Sequence, residues 1–62
     1  MNLKEFARHI PAKQYLRICE RGQIVGIGYP DTKDVQQHVN KTVGLVRVAD
    51  GVLEVNVYTR KG

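Results

Sequence analysis

The apolar positions of this chain change period several times within 62 residues, and each change marks an element. Leu3, Phe6, Ala7 and Ile10 recur at i, i+3, i+4 and i+7, which predicts a short amphipathic helix. Asn2 stands at its start, and Glu5 three residues later is placed to reach back to the Asn2 N–H, the pattern of a capping box. Pro11 ends the helix, because a residue preceding proline is driven out of the α region.

From Tyr15 to Gly28 the pattern becomes that of a hairpin turning at Glu20-Arg21-Gly22. A two-residue Arg21-Gly22 loop would group Leu16, Ile18, Val25 and Ile27 on one face. A three-residue loop closing on Gly22 as a bulge would group Leu16 and Ile18 with Ile24. Both loop lengths are common and both strands are apolar on both faces, so the register stays open. Tyr29-Pro30-Asp31 then forms a turn, and Asp31 or Thr32 caps a second short helix. Asp34 suits the positive end of that helix, and Val35 and Val39 give it a thin apolar stripe.

The stretch VRVADGVLEVNVY, Val46 to Tyr58, is the strongest local signal. Asp50-Gly51 is a type I′ turn dipeptide, and it pairs Ala49 with Val52, Val48 with Leu53 and Val46 with Val55. One face then carries Val46, Val48, Leu53, Val55 and Val57 and is expected to be the core side. The other carries Val43, Leu45, Arg47, Ala49, Val52, Glu54, Asn56 and Tyr58, with Arg47 opposite Glu54. The expected fold is therefore α+β, in the order α-β-β-α-β-β. It is a single domain over residues 1–62 with an antiparallel four-stranded sheet, built of two hairpins, and two short helices. The two halves match at an offset of 29 residues (Lys4 with Lys33, Gly22 with Gly51, Tyr29 with Tyr58). A duplicated αββ unit would give such a match, but similar element lengths account for most of it, and with two-residue loops in both hairpins the apolar parity does not superimpose.

Composition narrows the partners. Ten Lys and Arg against six Asp and Glu give a net charge of +4, scattered singly along the chain, so an anionic partner is permitted but not demanded. No apolar run approaches the roughly 20 residues needed to cross a bilayer, and Met1 leads straight into a polar, capped helix unlike a signal peptide. A single cysteine, Cys19, allows no internal disulfide and no zinc site, which places the chain in a reducing cytoplasm. A domain this small buries only about 60% of its unfolded surface, so self-association is an expected source of extra stability.

Candidate chemistry is sparse. His9 and His38 fall near helix ends with no partner at ligand spacing, and Cys19 lies in a strand as a small hydrophobe. Gly26-Ile27-Gly28 lacks the strand–helix context of a dinucleotide fingerprint; glycines there mark a bulge or the close approach of another chain or a ring, for which Tyr15 is available. No catalytic residue, metal ligand or cofactor site is expected. Arg17, Arg21, Arg47, Arg60 and Lys61 with Tyr15 and Tyr58 would suit a nucleic-acid surface, yet Glu20 and Glu54 stand among them and no run of exposed aromatics is present. The less polar side of the Asp-Gly hairpin is better explained by a protein interface, where Tyr and Arg are enriched among aliphatics.

Three segments carry a family resemblance: the NLKEF opening at Asn2 to Phe6, the hairpin from Leu16 to Gly28, and the closing pair around DGVLEV from Val46 to Val57. Together they resemble very short accessory proteins encoded by phages and prophages of Gram-positive bacteria. The resemblance implies a non-enzymatic protein acting in the infected cell. Some such proteins are anti-defence inhibitors, including compact homodimers that block Hachiman immunity and others that block CRISPR effectors. It transfers no contact residues, and Gly26, Gly28 and the Arg60-Lys61 end fall outside its pattern.

The expectation is thus a cytoplasmic homodimer, joined through a sheet surface or edge, that inhibits a host protein by occupying its surface. The expected contacts are Tyr15, Arg17, Leu45, Arg47 and Tyr58, with Arg17, Arg47 and Arg60 steering the protein to an acidic target. The alternatives are a small nucleic-acid-binding module on the same basic face and a sponge for anionic signalling nucleotides.

Overall fold

A computed structural model describes residues 1–59. Its elements are α1 (Leu3–Arg8), β1 (Leu16–Glu20), β2 (Gln23–Gly28), α2 (Lys33–Gln36), β3 (Thr42–Ala49) and β4 (Val52–Tyr58), the order expected. The capping box closes on α1: the Glu5 N–H donates to Asn2 Oδ1 at 2.9 Å, and the Asn2 N–H donates to Glu5 Oε1 at 3.3 Å. α2 is a single turn with Thr32 at its N-cap, but the Thr32 hydroxyl makes no cap bond and instead accepts from the Tyr29 N–H at 2.8 Å. None of the described helices is long and apolar enough to cross a membrane.

The four strands form one sheet in the order β2-β1-β4-β3. Each hairpin is antiparallel, but β1 runs parallel to β4, with Leu16 opposite Leu53 and Ile18 opposite Val55. This corrects the wholly antiparallel sheet: the sheet is mixed. Turn chemistry sets the pairing within each hairpin and is silent on how the hairpins join. Burial decides that. The centre goes to β1 and β4, whose inward residues Leu16, Ile18, Val55 and Val57 are all buried, while β2, with only Gly26 and Gly28 facing inward, takes an edge.

Both hairpins turn through two residues with positive φ, Arg21-Gly22 and Asp50-Gly51. The first has the short loop, yet neither expected grouping holds, because the register slips between Ile18 and Cys19. Val25 becomes the extra residue of a bulge, Gly26 and Gly28 face Ile18 and Leu16, and Ile24 and Ile27 turn outward opposite Cys19 and Arg17. The slip answers to α2. A Cβ on Gly26 would stand 3.0 Å from the Asp34 carbonyl oxygen and 3.2 Å from the His38 ring, so only bare backbone lets the helix close on the strand. Tyr15 does not fill that gap; it meets Tyr29 edge-on, centroids 5.3 Å apart.

The second hairpin has the expected register from Ala49 back to Val46. A second irregularity between Val43 and Val46 then brings Val43, expected outside, opposite Val57 and against the core. The aliphatic face is also not buried along its full length: Val48 is 71% exposed at the hairpin tip, beyond the reach of the helices. The two bulges fall in different strands of their hairpins, β2 and β3.

The core gathers Leu3 from α1, Val35 from α2, and Leu16, Ile18, Val55 and Val57 from the central strands, flanked by Phe6, Ile10, Val43, Val46 and Leu53. Both helices therefore lie on one side of the sheet. Among the described residues nothing covers the other side.

Candidate protein-interaction face

That uncovered side is organised in rows running across the strands. From β2 to β3, Ile27, Arg17, Glu54 and Arg47 share one row, each opposite the next in the strand register. The arginines close on one carboxylate: Arg17 Nη1 donates to Glu54 Oε2 at 3.1 Å and Arg47 Nη2 to Glu54 Oε1 at 2.7 Å. Glu54 is the sheltered member, with 18% of its side chain exposed against 65% for Arg47. The unit spans three adjacent strands and leaves one positive charge in excess, available to an acidic surface. Geometry of this kind holds arginine planes in place more firmly than a lone surface pair would.

The next row holds Ile24, Cys19 and Asn56 and ends at the bulge of β3, where the Asn56 side-chain amide lies 3.5 Å from the Leu45 carbonyl oxygen. Leu45 is 62% exposed there. Tyr58, two residues beyond Asn56 in β4, is half-exposed, and its ring lies over Gly44, where an added Cβ would come within 3.5 Å of it. At the opposite end the half-buried Tyr15 packs against Tyr29.

The five expected contact residues thus fall into three groups: Arg17 with Arg47 through Glu54, Leu45 with Tyr58 beside Asn56, and Tyr15 apart from both. Sequence reasoning missed Ile24, Ile27 and Tyr29, all exposed. For the two isoleucines the signal was the two-sided apolar character of β2: the two-residue loop sends Ile24 outward, and the bulge at Val25 sends Ile27 there as well. Arg60 and Lys61 lie outside the described residues.

Electrostatics on the face follow from these contacts. Hydrogen bonds from Arg47 and then Arg17 hold the Glu54 carboxyl below the usual carboxylate range. Glu20, at the end of β1, is held low in the same way, first by its 2.6 Å bond from Lys41 Nζ. Cys19 moves the other way: burial, then the neighbouring Glu54, pushes its thiol up, so it stays protonated at neutral pH and serves as a small apolar filler. Among the described residues no group of three His, Cys, Asp or Glu side chains is placed to hold a metal ion.

A lowered folded-state pKa stabilises the fold above the unfolded value, about 4.3 for glutamate, and that contribution disappears as pH falls through the folded value. Stability should therefore drop in acid, and Glu54→Gln should show a shallower drop because one of the two depressed carboxyls is gone. Urea melts between pH 6 and 2 test this; equal acid slopes for both proteins would remove Glu54 from the account.

Comparison with protein-family models, with curated proteins and with solved structures finds no match for this chain.

Proposed function

We propose that this protein is a small non-enzymatic binding protein of the phage-accessory kind, working as a homodimer, which inhibits a host defence protein by covering part of its surface. The reading rests on one observation: Ile24, Ile27, Leu45 and Tyr58 are exposed on the outer side of the sheet, around a fixed Arg17–Glu54–Arg47 unit. Tyrosine and arginine ringed by aliphatics is the composition of interface hot spots, and both offer large contact area at small entropic cost. The surplus positive charge favours an acidic target and speeds encounter with it.

The test compares two immobilised baits in host lysate at physiological salt: the native protein and the double variant Arg47→Ala/Tyr58→Ala. The native bait should retain one host protein in stoichiometric amount, and the variant should hold it at least about 30-fold more weakly, since hot-spot truncations cost 2 kcal/mol or more. Equal retention by both would sink the face as the binding surface. Capture of DNA or RNA that falls steeply with salt would replace this reading with the nucleic-acid one.

A further inference from the structure

The outer face is poorly suited to pair with a second copy of itself, because two such faces would bring their arginine clusters together. The β2 edge has the opposite character. Its residues Gln23–Gly28 carry no charge, and the hairpin turn is followed by Ile24, 60% exposed. The residues that close a two-residue turn hydrogen-bond to each other, so Glu20 and Gln23 use their backbone groups within the hairpin. Alternation then directs the backbone groups of Ile24 and, past the bulge, of Ile27 to the open edge. Apart from β1, no described element hydrogen-bonds the backbone of either residue; the segment after α2 reaches only the bulge, where His38 Nε2 lies 3.2 Å from the Val25 carbonyl oxygen.

The other edge of the sheet is managed differently. The chain's own N-terminus lies along the start of β3: the Val43 N–H donates to the Met1 carbonyl at 2.9 Å, the Leu3 N–H donates to the Lys41 carbonyl at 2.9 Å, and Asn2 bridges to Thr42. Proteins blunt free edges with charge, proline, bulges or cover; β3 has cover at its start, whereas β2 has only the bulge at Val25.

We infer that β2 is the dimerisation edge, pairing antiparallel with β2 of a second copy of this chain. The inference rests on the homodimer proposed above and names its surface. Placing Ile24 opposite Ile27 of the second copy matches the outward backbone groups of both. It also carries Arg21, in the turn at one end, to the position beside Asp31 of the second copy, just past the strand at the other. The two-fold axis repeats that pair, giving opposite charges at both ends of an uncharged strand. Arg21 and Asp31 are exposed, and neither makes an ion pair among the described residues. The joined sheet has eight strands, with four isoleucines at the centre of one continuous outer face. Six residues of strand give an edge of about 20 Å. So short an edge buries less than the roughly 1,200 Å² of a standard interface, so the dimer should dissociate on dilution.

Charge exchange tests the pairing directly. Arg21→Asp leaves an Asp-Gly dipeptide in the turn, the preferred type I′ sequence, so the hairpin itself is preserved. In sedimentation equilibrium from micromolar to millimolar protein, the native chain should move from its 7.0 kDa monomer mass towards twice that value. Arg21→Asp and Asp31→Arg should each weaken dimerisation by about tenfold or more, and the double exchange should restore it. Circular dichroism of each variant confirms the fold, and Val25→Lys, a charge on the exposed bulge, should weaken the dimer independently. A native chain that stays monomeric at millimolar concentration overturns the inference. So do single exchanges that leave a dimer intact. These variants leave the Arg47 and Tyr58 face untouched, so a dimer that persists through them, or target capture by a monomeric variant, separates failure of the edge from failure of the face.

Discussion

Ile18→Ala is expected to leave a large fraction of the protein unfolded at 37 °C. Ile18 is fully buried in β1, between Gly26 on one side and Val55 on the other, at the middle of the sheet. Truncating a buried isoleucine costs about 2–5 kcal/mol, the transfer term plus the cavity left behind. A domain of this length has a total stability of about 3–9 kcal/mol at 0.05–0.15 kcal/mol per residue. At mid-range the loss takes about half of what is available, and a chain with a single cysteine has no internal disulfide to offset it. Ile18→Val removes one methylene and should cost about 0.5–1.5 kcal/mol, which makes it the control. Urea denaturation at 25 °C gives the comparison; if the alanine variant unfolds at the same midpoint as the valine variant, the packing account of the central strands is wrong.

Gly28→Ala should be nearly as damaging although it adds a single methyl group. Gly28 has φ of +143, a backbone conformation that side-chain-bearing residues rarely adopt, and its new Cβ would meet Thr32 Cγ2 at 2.7 Å and Thr32 Cβ at 2.8 Å. Thr32 has no room to yield, since its hydroxyl accepts the Tyr29 N–H and its backbone starts α2. Backbone strain of about 1–3 kcal/mol adds to overpacking of about 1–3 kcal/mol. Gly51→Ala isolates the first contribution, because φ there is +77 and nothing stands within 4 Å of the added atom. The expected order of stability is native, then Gly51→Ala, then Gly28→Ala, with the last losing the amide-exchange protection of α2 first. An unchanged α2 in the Gly28 variant would show that the strand and helix are not held together at this point.

The face and the core differ in how far they could be read ahead. Arg47 opposite Glu54 follows from counting back from Asp50-Gly51, because a two-residue turn dictates every pair behind it. Arg17 reaching the same carboxylate does not follow from any local signal: the two residues are 37 positions apart and meet only because β1 lies beside β4. Ile24 and Ile27 were hidden for a related reason. In a strand apolar on both faces the loop length decides the side of Ile24, and one inserted residue at Val25 then reverses the side of Ile27; periodicity carries no information about either. The glycines that looked unplaced at Gly26 and Gly28 are the mark of that event, since they are where α2 comes down on the strand.

What the residue order determined by itself is everything held by near neighbours: the capped first helix, the Asp50-Gly51 turn, the six elements in sequence and the aliphatic stripe from Val46 to Val57. Chain connectivity makes those choices inexpensive in loop entropy, so short-range chemistry is enough to make them. The tertiary structure alone decided the parallel joining of the hairpins, the slip at Val25 and therefore which side of the sheet stays open. Those outcomes depend on where two small helices find backbone bare enough to pack against, which is a property of the assembled surface and of no single segment.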